Sequence, residues 1–127
     1  MSDDEERRAR ALAIYEKMGW GENEIVKEID MDLWRLITDV MFGEIWSRPH
    51  LSIRDRELIT MACNIALARP NGTHSHYRSA KHIGLTHEEI MELIIQVGHY
   101  AGWPAIAHAL VQYEEVLKQD AEAAKKK

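Results

Sequence analysis

Cysteine is nearly missing from this chain. Cys63 stands alone, which excludes an intrachain disulfide framework and a four-cysteine zinc site. No apolar run approaches the ~18 residues that cross a bilayer, so no membrane association is expected. The opening MSDDEERRAR lacks the apolar stretch of a secretory signal. Export by that route is therefore not expected, and the cytoplasm is the compartment the sequence points to. Basic charge is in deficit, with 16 Lys+Arg against 21 Asp+Glu and a formal net charge of −5. Affinity for nucleic acid comes from displacing counterions with Lys and Arg, so this balance argues against a nucleic-acid partner. The basic run Lys125-Lys126-Lys127 reads as a solvated end of the chain. Also absent are a glycine-rich phosphate loop, a G-x-S-x-G elbow and a dinucleotide fingerprint.

What is present is a helical pattern. The 127 residues, 46% hydrophobic, suit one globular domain spanning 1–127, with its core at about 30–117 and a charged, flexible tail at 119–127. Ser2 and Glu5 have capping-box spacing before Leu12, Tyr15 and Met18, and Gly19 and Gly21 end that helix. Asp30 opens a second, carrying Leu33, Trp34, Ile37, Val40 and Met41 and closed by Gly43. A connection follows, in which Pro49 biases Arg48 away from helical angles. Ser52 and Asp55 start a third helix through Ile65, and R-P-N-G at 69–72 makes a turn. A short helix ends at Gly84. Thr86 and Glu89 repeat the capping box before Ile90, Leu93, Ile94 and Val97. Gly102-Trp103-Pro104 restarts the chain for a last helix through Leu117. The expectation is an all-α fold of about six helices. Their apolar stripes are wide, so helix packing between subunits is expected as well.

Polar residues interrupt these helices in three places. Glu57, Thr60 and Asn64 share one helix face beside Arg56, as a solvated face, a buried ion pair or a polar pocket wall. His74 and His76 form an H-x-H pair, but on a helix they lie about 200° apart and do not readily share an ion. No metal is therefore assigned. Gln96, His99 and Tyr100 end an apolar helix, where a histidine is most simply a residue whose nitrogens are satisfied by hydrogen bonds. His50, His82, His87 and His108 carry the same plain reading. Seven histidines in a small acidic chain nevertheless raise the question of proton transfer near neutral pH.

The stretches GEIWSRPHLSIRDRELITMA and HSHYRSAKHIGLTHEEIMELIIQVGHYAGWPAIAHAL resemble the carboxymuconolactone decarboxylase family, over roughly Asp30 to Leu117. W-S-R-P, the H-x-R-x-A at His76, G-L-T-x-E-E-I and Y-x-G-x-P-A carry the match. The resemblance implies an alkylhydroperoxidase-like helical fold, assembled as trimers or hexamers. It implies loss of CO2 from a small carboxylated lactone in aromatic catabolism, the β-ketoadipate route, with no metal or organic cofactor. The electrons released would flow through a double bond into the lactone carbonyl, and a proton would then be delivered to the α-carbon.

Carried over by position, His76 is the general acid/base, Arg56 and Arg48 hold carboxylates, and Trp46 and Tyr100 form the pocket. Glu57 matches the glutamate of the alkylhydroperoxidase branch, nineteen positions before the histidine. That branch also uses a cysteine pair, whose positions fall here on Arg69 and Gly72, so a thiol peroxidase is not expected. This chain departs from the family at His50, His82 and His99. The added imidazoles point to a changed substrate or an altered proton relay, with His82 in the pocket and His99 a second catalytic candidate. The alternatives are an isomerase, hydrolase or decarboxylase acting on another lactone or aromatic breakdown product, or a non-catalytic oligomer that binds a small ligand.

Overall fold

The computed structural model describes residues 2–70 and 73–126. The described residues form seven α-helices, with a π-helical continuation of the third, and no strand occurs among them. None of these helices is long and apolar enough to cross a membrane. The chain divides into two compact units, Met1–Arg56 and Glu57–Lys127.

In the first unit, α1 (Asp3–Met18) starts where expected: the Ser2 hydroxyl accepts from the Glu5 N–H at 3.2 Å. Four acidic residues in its first turn face the positive end of the helix dipole. Gly19, at φ +73°, ends it in the left-handed conformation that glycine adopts without a Cβ penalty. Ala11, Ile14, Tyr15 and Met18 form its buried face. A short helix, α2 (Glu24–Ile29), lies where no helix was expected; it buries no residue, so it leaves no apolar stripe to read. α3 (Met31–Arg35) is capped by Asp30, whose Oδ1 accepts from Asp32 N at 2.8 Å and Leu33 N at 3.3 Å.

The chain then continues as a π-helix, Leu36–Ile45, closed by a hydrogen bond from Trp46 N to Met41 O at 2.9 Å. Gly43 does not stop this helix, contrary to the sequence expectation. A Cβ on Gly43 would stand 2.6 Å from the Arg7 carbonyl oxygen, so the glycine lets the π segment approach α1. Phe42 sits among Tyr15, Trp20 and Trp46, with ring centroids 5.0, 5.6 and 5.2 Å away.

In the second unit, which begins within α4 (Ile53–Ala66), the chain continues through α5 (Thr73–His82), α6 (His87–Ala101) and α7 (Trp103–Lys125). Met61, Ile65, Tyr77, Leu85, Ile90, Ile94, Ala109, Tyr113 and Val116 form its core. The Thr86–Glu89 capping box is complete, Gly84 takes φ +89° and Pro104 lies in the first turn of α7. Of the expected R-P-N-G turn, Asn71 and Gly72 lie outside the described residues. The expected tail from 119 is instead helical to Lys125. Two of its polar residues meet α5, with Arg78 bonded to Gln119 and Lys81 paired with Asp120.

Candidate active site

Glu57 is wholly buried in α4, at 0% exposure. An ionised carboxylate in that position needs charge-assisted or multiple hydrogen bonds to offset the loss of water. α5 supplies two. His76 Nδ1 bonds Glu57 Oε1, and the Ser79 hydroxyl donates to Oε2 at 2.8 Å. His76 and Ser79 are three apart on one helix and so share a face. With Glu57 ionised, the hydrogen bond between them requires the proton on Nδ1. The imidazole keeps 13% of its side-chain surface exposed while its carboxylate partner has none. A buried acid orienting a partly open histidine can hold and pass a proton.

His74 does not join them. Its Nε2 pairs with Glu115 on α7 at 2.6 Å, as expected for side chains two residues apart on a helix. Among the described residues no cluster of three His, Cys, Asp or Glu is arranged to hold a metal.

The other sequence candidates are spread out. His99 is exposed in the last turn of α6, with Nδ1 donating to the Ile95 carbonyl at 2.8 Å. Its ring centroid lies 6.1 Å from that of Trp103. Tyr100, 88% exposed, borders an apolar groove of about 540 Å³ whose wall includes Ala62, Cys63 and Val97. His82 is exposed at the end of α5.

In the first unit, the Arg56 guanidinium donates to the Arg48 carbonyl at 3.0 Å, and Trp46 is buried against Phe42. Ser79 was not singled out from sequence. Its one signal, a hydroxyl three residues after His76, is too common to stand out.

The sequence profile of the carboxymuconolactone decarboxylase family matches residues 32–115. Over 122 residues, 91% of this chain and 90% of the relative, the chain is 33% identical to 4-carboxymuconolactone decarboxylase of Acinetobacter baylyi. It is 29% identical over 82 residues to nitrosuccinic acid decarboxylase of Metarhizium robertsii, covering 65% of this chain and 57% of that protein.

Proposed function

Because the chain belongs to the carboxymuconolactone decarboxylase family, we propose that it is a cytoplasmic decarboxylase needing no metal or organic cofactor. Its substrate would be a small carboxylated lactone formed in aromatic catabolism. Both relatives are named as decarboxylases, of 4-carboxymuconolactone and of nitrosuccinic acid, and the conjugated carbonyl of an unsaturated lactone is an electron sink. The chemistry follows from that sink. The bond from the γ-carbon to the carboxylate breaks, CO2 leaves, and the electron pair moves through the double bond onto the lactone carbonyl oxygen. His76 then gives its Nε2 proton to the α-carbon and is reprotonated from water. Glu57 holds the imidazole in place through Nδ1.

The observation that carries this reading is the hydrogen bond between Glu57 and His76, which commits one ring nitrogen to a buried acid. Arg48, Arg56, Trp46, Tyr100 and His82 keep, within this proposal, the substrate-binding roles that the resemblance implies. The same proposal includes a homo-oligomer, a trimer or hexamer.

The test is CO2 release from 4-carboxymuconolactone in chelator-containing buffer. General acid–base groups typically contribute ~10²–10⁴-fold, so His76→Ala should lower kcat by about that factor. Glu57→Gln should cost less if the carboxylate only orients and tunes the ring. His99→Ala serves as the control. Wild-type kcat in His76→Ala with activity abolished in His99→Ala would move the acid to His99. An isomer or ring-opened acid formed without CO2 would replace decarboxylation with another lactone chemistry.

A further inference from the structure

Glu57 has a second partner that the proposed proton transfer does not use. The Ser79 hydroxyl lies 2.8 Å from Glu57 Oε2 and 3.2 Å from the carbonyl oxygen of His76. Ser79 and Glu57 are both at 0% exposure, so water does not compete for either. A hydroxyl has one proton to donate and lone pairs to accept with. Ser79 therefore has two satisfied arrangements. When Glu57 is ionised, the hydroxyl donates to Oε2. When Glu57 carries a proton on Oε2, it donates to the Ser79 oxygen, and the hydroxyl proton turns to the His76 carbonyl. Neither arrangement strands a buried polar group.

We propose that Ser79 is a positioning residue whose hydroxyl sets the proton affinity of the Glu57–His76 pair and fixes which carboxylate oxygen meets the imidazole. Its bearing on rate rests on the decarboxylase reading; its effect on the pair does not. Once His76 has given up a proton, a neutral imidazole stands beside a buried carboxylate. The Nδ1–H and the Ser79 O–H then stabilise that charge. Losing the hydroxyl disfavours the deprotonated pair, so the pair keeps its proton to higher pH. The two groups titrate together: where the shared proton resides on Glu57, the hydroxyl favours the deprotonated pair alone, and where it resides on the imidazole, the carboxylate accepts the hydroxyl in both states and the shift is smaller. Neighbouring polar and charged groups have other partners: His74 with Glu115, Arg78 with Gln119, Lys81 with Asp120, and Arg56 with the Arg48 carbonyl.

The experiment is an NMR titration of His76 in protein labelled with 15N-histidine, alongside the pH profile of kcat. Ser79→Ala should raise the apparent pKa by up to about one unit, the scale of a hydrogen bond to a charged group. The basic limb of the kcat profile should move up with it, and Ser79→Thr should restore most of the wild-type value. In a Glu57→Gln background, Ser79→Ala should shift His76 by less than about 0.3 units, because the route through the carboxylate is gone. A merely structural role would not depend on Glu57 in this way. An unmoved His76 titration in folded Ser79→Ala, or an equal shift with and without Glu57, overturns the proposal. Should Ser79→Ala fail to fold, Ser79→Cys, a weak donor of similar size, decides in the same direction. A shifted titration in protein that releases no CO2 sustains the role of Ser79 and removes the decarboxylase reading instead.

Discussion

Arg8 holds both oxygens of the buried Asp39, with Nε at 2.5 Å and Nη2 at 2.8 Å. Those hydrogen bonds keep the Asp39 carboxyl below the usual carboxylate range, against the opposing effect of burial. A carboxyl whose folded-state pKa is depressed adds stability that is fully present above its unfolded value, ~3.9. That stability is lost as pH falls through the folded value. Arg8→Ala should therefore cost about 1–2 kcal/mol at pH 7, a figure held down because the guanidinium is 38% exposed and screened by solvent. Urea titrations of both proteins should show that gap closing as Asp39 protonates in acid. A gap of the same size at pH 7 and pH 2 would mean that Arg8 acts through its stacking on Trp34, 4.8 Å from the ring centroid, and not through Asp39. Glu57 meets the same burial problem with an imidazole and a hydroxyl.

At the scale of the element, two glycines do their work by contact. Gly98 on α6 admits Ile106 of α7, since a Cβ there would stand 2.0 Å from that side chain. Gly43 admits the backbone of α1, at 2.6 Å from the Arg7 carbonyl oxygen. An isoleucine can change rotamer, but a helix carbonyl cannot move without its helix. Gly43→Ala gains at most ~1 kcal/mol of helical propensity. Overpacking costs about 1–3 kcal/mol, so the variant should be destabilised, with a lowered urea midpoint. An unchanged or raised midpoint would show that α1 and the π segment separate easily. The failure to read Gly43 from sequence has the same origin, because a glycine that ends a helix and one that admits a neighbour look alike until the neighbour is placed.

At the scale of the whole molecule, each unit leaves apolar side chains in solvent. The first exposes Met31, Leu36, Met41 and Ile45 by about half, and Ile25 and Ile29 more fully. The second exposes Tyr100, Trp103 and Val111. Large exposed apolar patches mark contact surfaces more often than free surface. The proposed homo-oligomer follows from them, and light scattering at micromolar concentration should give a multiple of 14.7 kDa. A species of 14.7 kDa alone would remove the oligomer from the proposal.

The sequence by itself determined what is local. Ser2, Asp30, Ser52 and Thr86 cap helices, and Gly19 and Gly84 end them, because each of these acts on backbone groups within a few residues. The family was legible for a related reason: its motifs are short runs, and the profile match covers residues 32–115. The tertiary structure decided what depends on distant partners. α2 buries nothing and left no stripe to find, whereas α7 extends to Lys125, with Asp120 in its C-terminal part paired with Lys81 of α5. The spacing of Glu57 and His76 suggested a pair only through resemblance. The fold brings them into contact, turns His74 away to Glu115, and adds the Ser79 hydroxyl that no spacing had marked. A buried carboxylate chooses its partners by proximity in three dimensions, and a linear pattern of residue types does not contain that distance.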